Sequence, residues 1–239
     1  MFTRHSLLPW LNGLLHHPTL LGDCLLCRQA VQHQALLCDY CQAELPRLHH
    51  PCPLCAYPMP QPAPACGRCL SKPPAWDRLR VLADYGDPYR NLLIGLKYHQ
   101  QREAAHLLGR LFAAQPIAET LPQVLLPVPL HWWRQWRRGY NQAELLGREI
   151  SRQLGIPLDN HILKRHRATP SQARLGRAAR QRNLRHAFSL SAHGYRHVAL
   201  VDDIVTTGAT ARELTRRLKR SGVEVVEVWA ICRTLRHAV

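Results

Sequence analysis

The stretch from Val198 to Glu213, VALVDDIVTTGATARE, combines residue types that could bind a phosphorylated sugar. Its apolar start, residues 198–201, predicts a buried parallel strand, and Asp202 and Asp203 stand where we expect that strand to end. A hydroxyl-rich turn follows, and the spacing from Ala211 onward predicts a helix. Backbone N–H groups in such a turn and at a helix start attract phosphate. Carboxylates accept hydrogen bonds from ribose hydroxyls, directly or through Mg²⁺.

This order of strand, acidic pair and Thr-Gly turn resembles the 5-phosphoribosyl-1-diphosphate (PRPP) binding motif of the type I phosphoribosyltransferases. The resemblance implies that Asp202 and Asp203 bind the ribose of PRPP. It also implies a 5′-phosphate site in the turn, formed by Thr206, Thr207, Gly208, Ala209 and Thr210. Thr206 stands where purine-type members carry an acidic residue thought to act on the base, so we do not expect purine salvage. The alternative is an ordinary strand-to-helix junction with incidental acidic residues.

Eight cysteines form four C-x-x-C pairs, each beginning 14 residues after the last. They are Cys24, Cys27, Cys38, Cys41, Cys52, Cys55, Cys66 and Cys69. Two pairs supply four thiolates, which bind Zn²⁺ tetrahedrally with no position left for water, so we expect two structural zinc sites. Disulfides are the alternative, but C-x-x-C pairs in a reducing compartment more often bind metal or do redox chemistry. We favour sequential pairing, four cysteines to each ribbon, over crossed pairing. The ninth cysteine, Cys232, is expected to be a packed core residue.

From Trp76 onward, apolar strands alternate with helical stretches, which predicts an α/β fold with a mostly parallel sheet and helices on both faces. Strands are expected over 79–85, 124–128 and 223–233, and helices over 89–96 and 102–114. Ligands of such sheets bind at the carboxyl ends of the strands, where Asp202 and Asp203 fall. The PRPP motif implies that this fold is type I phosphoribosyltransferase-like. We therefore divide the chain into 1–74, an amino-terminal helix and double zinc ribbon, and 75–239, a phosphoribosyltransferase-like domain.

The sequence PVPLHWWRQWRRGYNQAELL, which begins at Pro127, resembles the signature of the ComF family, including its GntX-like members. Proteins of that family have an amino-terminal zinc module and a phosphoribosyltransferase-like domain, and the resemblance covers essentially the whole chain. It implies a loop that binds the diphosphate of PRPP, with backbone donors from the turn at 129–133 and charge from arginines. The residues concerned are Pro129, Leu130, His131, Trp132, Trp133, Arg134, Arg137 and Arg138. Trp132, Trp133 and Trp136 either pack in a core or in a hood over the sheet, or stack on nucleobases.

A third block, residues 163–188, is rich in arginine. It resembles the mobile loop of type I phosphoribosyltransferases, which closes over the substrate, and it matches the ComF pattern at Arg165, Arg167, Thr169, Gln172, Arg182 and Asn183. A lid with this charge could neutralise a departing diphosphate. It could equally follow a phosphodiester backbone, or it could be a solvated linker helix.

The formal net charge of the chain is +16, of which +13 lies after Arg80. Such a charge favours polyanionic partners, nucleic acid first. The alternative is a basic face that is only solvated and binds no partner. No internal segment is apolar enough to span a bilayer. The amino terminus has neither the continuous apolar core nor the cleavage site of a signal peptide. We therefore expect a cytoplasmic protein without membrane insertion.

The ComF resemblance implies a PRPP-binding, DNA-associated protein that acts in the uptake, processing or nutritional use of DNA. The expected partners are PRPP with Mg²⁺, single-stranded DNA, and other DNA-uptake or recombination proteins. A catalytic member would displace diphosphate from C1 of the ribose, but the sequence identifies no catalytic residue and no acceptor. One alternative is a non-catalytic single-stranded DNA-binding module with a PRPP or nucleotide sensing pocket. The other, which Thr206 disfavours, is a nucleotide-salvage phosphoribosyltransferase.

Overall fold

The computed structural model describes residues 21–32, 35–117, 120–166 and 187–235. The chain packs as two compact units, Met1–Leu45 and Pro46–Val239. The second unit holds the last four cysteines of the zinc-ribbon module as well as the main sheet. The boundary that the sequence predicts after residue 74 stays a prediction.

Eight strands and seven helices are formed by the described residues. The strands are β1 (Leu21–Asp23), β2 (Ala30–Gln32), β3 (Arg78–Asp84), β4 (Val124–Pro127), β5 (Leu163–Arg165), β6 (Phe188–Leu190), β7 (His197–Val205) and β8 (Val225–Arg233). The helices are α1 (Asp39–Ala43), α2 (Gly67–Ser71), α3 (Tyr89–Tyr98), α4 (Glu103–Ala113), α5 (Trp132–Arg138), α6 (Gln142–Leu154) and α7 (Ala209–Arg220).

The main sheet has four parallel strands in the order β3-β8-β7-β4. Helices cover both of its faces. On one face, Phe112 of α4 contacts Trp229 of β8, with 5.5 Å between the ring centroids. On the other face, Leu214 and Leu218 of α7 pack in one cluster with Val226 and Val228 of β8. This arrangement confirms the predicted fold class, because a sheet buried on both faces requires the nearly continuous apolar strands seen in the sequence.

The carboxyl ends of β4 and β7 lie side by side. The two strands pair from Val124↔Val198 to Pro127↔Val201, and β7 then continues beside β8 as far as Val205↔Arg233. The strand therefore extends four residues beyond its predicted apolar core, since β8 supplies a partner for those residues. The helix predicted from Ala211 begins at Ala209.

A small antiparallel pair, β5 with β6, lies outside the main sheet and joins the two ends of the arginine-rich block. Leu163 and Phe188 pack with the residues beneath α7. Cys232 is fully buried in β8, as predicted. Within the described ranges, no helix combines the length and apolar character needed to cross a membrane.

Candidate functional site

The cysteines form two tetrads in the sequential pairing that the sequence favours. The sulfur atoms of Cys24, Cys27, Cys38 and Cys41 all lie within 4.8 Å of one another, and so do those of Cys52, Cys55, Cys66 and Cys69. The Sγ atoms of Cys27 and Cys38 are 3.6 Å apart, as are those of Cys55 and Cys66. A disulfide needs about 2.05 Å, whereas zinc–sulfur bonds of about 2.3 Å place tetrahedral ligands about 3.8 Å apart. The tetrads therefore fit two zinc ions.

In the second tetrad the backbone favours the thiolate of Cys52, whereas burial raises the pKa of Cys55 to about 11 and also raises that of Cys69. The backbone N–H of Cys66 donates to the Sγ of Cys52 at 3.3 Å. Although burial opposes ionisation, backbone N–H groups of Cys66, Leu54 and Cys55 lower the pKa of Cys52 to about 7. Thiolates held by backbone donors are the ligands that structural zinc requires. The two sites are structural, since four cysteines complete the coordination of each ion.

A crevice opens where β4 stops and β7 continues. The backbone N–H of Val128 donates to the carbonyl of Val201 at 2.8 Å, which is the last contact of this ladder. Asp202 and Asp203 come next, and within the described ranges no strand pairs with them on the β4 side. The sequence predicted both carboxylates at this edge of the sheet, and they lie there.

Asp203 is buried and already bound by side chains of two helices. The Nζ of Lys97, on α3, lies 2.6 Å from the Oδ2 of Asp203. The Nε2 of Gln142, at the start of α6, donates to the same oxygen at 3.2 Å. Arg138 in turn donates to the Oε1 of Gln142 at 2.5 Å and lies over the ring of Tyr98. Asp203 therefore belongs to a buried polar network that joins β7, α3 and α6.

Asp202 is half-buried, and its surroundings do not neutralise it in the same way. Burial and the charge of Asp203 raise the pKa of Asp202 well above its ordinary value. Arg165 is near enough to Asp202 to interact with it, and burial together with Arg134 lowers the pKa of Arg165. Burial, Arg165 and Arg134 likewise lower the pKa of His131. Arg165 thus interacts with Asp202 as well as with Arg134 and His131, which belong to a different predicted block.

The turn after β7 has its hydroxyl side chains on the surface. Thr206 and Thr207 are exposed, whereas Gly208 is buried and has φ 68°, in the left-handed region that favours glycine. A Cβ at Gly208 would lie 2.7 Å from the Cη2 atom of Trp76. The close approach that requires glycine here is thus to the indole of Trp76, beneath the turn. Ala209 and Thr210 form the first turn of α7.

Residues 132–138, expected as a loop, form the short helix α5. The turn predicted over 129–133 ends at His131, whose Nδ1 accepts from the backbone N–H of Trp133 at 3.3 Å. Trp132, Trp133 and Trp136 are 65%, 47% and 79% exposed. These exposures exclude core packing for the three rings. Arg137 lies over the ring of Trp133, 5.8 Å from its centroid.

Several predicted and unpredicted residues complete the site. Arg165 is described, but the other predicted lid residues, Arg167, Thr169, Gln172, Arg182 and Asn183, lie outside the described residues. Lys97 and Trp76 were not predicted as site residues, and Gln142 was not predicted to bind another group. The position of Lys97 in the sequence could have revealed it. Lys97 lies four residues after Leu93, on the side of α3 that is otherwise apolar and buried, and a charged residue at such a position needs a partner of opposite charge.

The cysteine tetrads and the parallel sheet define a class of protein, an α/β domain that follows a double zinc ribbon. The double zinc ribbon domain family matches residues 17–70. The chain is 39% identical to the "DNA utilization protein YhgH" of Salmonella typhimurium over 227 residues, which are 91% of this chain and 99% of that protein. It is 39% identical to the "Competence protein F" of Haemophilus influenzae (82% and 90% covered) and 27% identical to the "Competence protein ComFC" of Bacillus subtilis (78% and 79%). The chain belongs to the ComF family, as its signature predicted.

Proposed function

We propose that the crevice at the carboxyl ends of β4 and β7 binds PRPP with Mg²⁺, in a cytoplasmic protein that acts on single-stranded DNA during its uptake or use. The observation that carries the proposal is the position of Asp202: it is half-buried in β7, lies just beyond the end of the pairing with β4, and is followed by the exposed Thr206 and Thr207. Arg165 is near enough to interact with Asp202. A ribose with phosphate groups at both ends requires this alternation of acceptors and donors.

Each part of PRPP has a counterpart in the crevice. The turn at Thr206–Thr210 offers hydroxyls and the start of α7 to the 5′-phosphate. Asp202 and Asp203 accept from the ribose hydroxyls. Arg134 and Arg165 face the diphosphate, which arginine binds in pairs of hydrogen bonds.

Mg²⁺ suits the same place because it prefers carboxylate and phosphate oxygens. Burial raises the pKa of Asp202 most, and the negative charge of Asp203 raises it further. A divalent cation bound to the substrate would supply positive charge and stabilise the leaving diphosphate. Asp202 is the residue we expect to contact it, since Lys97 already binds Asp203.

DNA enters the proposal through the relatives and through helix α5. Proteins similar to this chain are named for DNA utilization and for competence. Helix α5 presents Trp132, Trp133 and Trp136 to solvent together with Arg137. Exposed aromatic rings beside cations are the usual means of binding single strands without sequence preference.

Two forms of this function differ in chemistry. In a transferase, the bond from ribose C1 to diphosphate breaks, diphosphate leaves with the electron pair, and an acceptor atom bonds to C1. In a binding module, PRPP or a terminal ribose phosphate occupies the crevice and regulates DNA binding at α5. The exposed tryptophans of α5 favour the second form, because stacking on bases accounts for them without any chemical reaction.

The two forms are separated by incubating the zinc-loaded protein with Mg²⁺, PRPP and either single bases or single-stranded oligonucleotides. Diphosphate release in one mixture identifies a transferase and its acceptor. No release in any mixture, with PRPP still bound, identifies the binding module. Release with free purines alone would instead indicate salvage and contradict the DNA role.

The DNA surface is tested by fluorescence anisotropy with a labelled oligonucleotide. Trp136→Ala should weaken binding by about 1–3 kcal/mol, the contribution of one stacked base. Arg137→Gln should reduce the slope of log affinity against log salt by about 0.7. Tyr40→Ala is the control, because Tyr40 is 75% exposed on the first ribbon. Equal losses in Trp136→Ala and Tyr40→Ala, or unchanged binding by Trp136→Ala, would contradict the assignment to α5.

A further inference from the structure

The second zinc tetrad lies in the same compact unit as the proposed phosphate turn, and several residues lie between them. The most direct connection is Trp76. Its Nε1 donates to the carbonyl of Leu54, between two zinc ligands, at 2.8 Å. The other edge of the same indole lies directly against Gly208. Trp76 is 4% exposed, so one rigid side chain fills the space between the knuckle and the turn.

The ribbon backbone is also tied to the sheet. The carbonyl of Pro53 accepts from the N–H of Leu79, in β3, at 2.7 Å. Ala56, which follows the ligand Cys55, is buried in the same apolar cluster as Trp76, Val205 and Ala211. The second knuckle is therefore part of the core that supports the end of β7 and the start of α7.

Arg233, the last residue of β8, also lies close to the turn. It is paired in register with Val205, directly before the turn, and the next N–H, that of Thr234, donates to the Val205 carbonyl at 3.1 Å. Its Nη1 atom is buried and has no hydrogen-bond partner among the described residues. Burial lowers the pKa of Arg233, and the nearby sulfur atoms of Cys55, Cys69 and Cys52 oppose that shift.

A zinc ion with four thiolates carries a net charge of −2, and groups around such a site commonly offset that charge and orient the ligands. A buried donor without an acceptor is costly, and the buried Nη1 of Arg233 would offset this charge when zinc is bound.

We propose that zinc in the second tetrad, through Trp76 and Arg233, holds the Thr206–Thr210 turn in its binding conformation, so that Trp76 and Arg233 are positioning residues of the site. This inference rests on the proposed function only for the identity of the ligand. The first tetrad belongs to the other compact unit, and the proposal does not extend to it. In this proposal, zinc in the second tetrad stabilises its own ribbon and also supports the phosphate turn.

The test uses the full chain and hydrogen exchange of peptides that cover residues 203–213, a readout that needs no ligand. Cys69→Ser should raise exchange in these peptides by at least about tenfold, because the metal supplies much of the free energy that orders the knuckle. Cys41→Ser is the matched control, and it should leave them unchanged. Equal protection in the two variants would overturn the inference.

A milder variant covers the case in which Cys69→Ser does not fold. Trp76→Phe keeps a ring beneath Gly208 but loses the hydrogen bond to Leu54, so we expect exchange about fivefold faster, the equivalent of one hydrogen bond. Arg233→Gln should accelerate zinc release from the second site to a chelator, and Arg233→Lys should restore slow release. Unchanged exchange in Trp76→Phe, or unchanged zinc release in Arg233→Gln, would contradict the coupling.

Titration of the same proteins with PRPP separates the two proposals. If the turn responds to the second zinc site but the wild-type protein binds no PRPP, the function is wrong and the coupling stands. If the wild-type protein binds PRPP and Cys69→Ser binds it equally well, the coupling is wrong and the function stands.

Discussion

The Lys97→Met substitution should destabilise the second compact unit substantially. The Nζ of Lys97 lies 2.6 Å from the Oδ2 of Asp203, and the two side chains are only 18% and 7% exposed. Methionine keeps the length of the side chain but removes the charge. The carboxylate of Asp203 would then be buried with neutral donors only, the Nε2 of Gln142 and the backbone N–H of Ile204.

The magnitude follows from what remains around Asp203. Removing one partner of a buried ion pair costs about 3–5 kcal/mol. Since two neutral donors remain, we expect the lower end, about 3 kcal/mol. For a unit of this size, about 2–4 °C per kcal/mol gives a fall in Tm of about 6–12 °C. Replacing Asp203 by Asn in the same chain removes the unpaired charge and should recover about 2 kcal/mol of that loss.

The assay is thermal unfolding of the zinc-loaded variants, followed by circular dichroism and compared through a double-mutant cycle. Lys97→Arg is a matched control that keeps the charge. If Lys97→Met and wild type unfold within 2 °C of each other, or if the double variant is no more stable than Lys97→Met, the buried network described here is wrong.

Three further predictions concern other parts of the chain. Glu149, 2% exposed, is bound by Arg152, Gln153 and His106, and although burial opposes ionisation, these partners lower its pKa to about 2. Because that pKa lies below the ordinary value, the ionised Glu149 stabilises the fold fully above about pH 4.5 and progressively less as the pH falls toward 2. Glu149→Gln should therefore lower the free energy of unfolding by at most about 3 kcal/mol near neutrality and by less in acid, as measured by urea unfolding. Gly208→Ala should cost at least about 1–2 kcal/mol through its positive φ alone and weaken PRPP binding, whereas Gly194→Ala, in open space, should do neither. A strong chelator should remove two Zn²⁺ per chain, measured colorimetrically, with loss of ordered structure in the ribbons.

These three predictions have different contradicting outcomes. If the loss of unfolding free energy in Glu149→Gln grows as the pH falls, the carboxylate is not stabilised by these partners. Wild-type stability in Gly208→Ala would mean that Trp76 does not lie against the turn. Release of a single zinc ion, or of none, would contradict the two tetrads.

Local patterns predicted the elements of the fold. The apolar runs that became β4, β7 and β8 are buried on both sides, so their sequence carries the signal of a covered parallel strand. The sequential grouping of cysteines also followed from spacing, because two neighbouring knuckles are close enough in the chain to share one ion. The position of Asp202 and Asp203 followed from the rule that ligands bind at carboxyl ends of parallel strands.

The partners of those carboxylates could not be predicted, because they depend on tertiary packing. Lys97 is more than a hundred residues from Asp203 in the chain, and only tertiary packing brings α3 and β7 close enough for the pair to form. Trp76 stands at the predicted start of the α/β domain, and nothing in the sequence showed that it would be buried between the second knuckle and Gly208. Residues 132–138 were expected to lie in a loop because the family resemblance implies a diphosphate-binding loop after this strand, but a cap at His131 and a left-handed Gly139 delimit a short helix there.

Isothermal titration of the zinc-loaded protein with PRPP, with and without Mg²⁺, tests the central claim most directly. We predict one PRPP per chain, tighter binding with Mg²⁺ than without it, and loss of the Mg²⁺-dependent part in Asp202→Asn, a variant that leaves the Lys97–Asp203 pair intact. Absence of binding by the wild-type protein, or equal affinity in Asp202→Asn with Mg²⁺ present, would contradict the assignment of this crevice to PRPP.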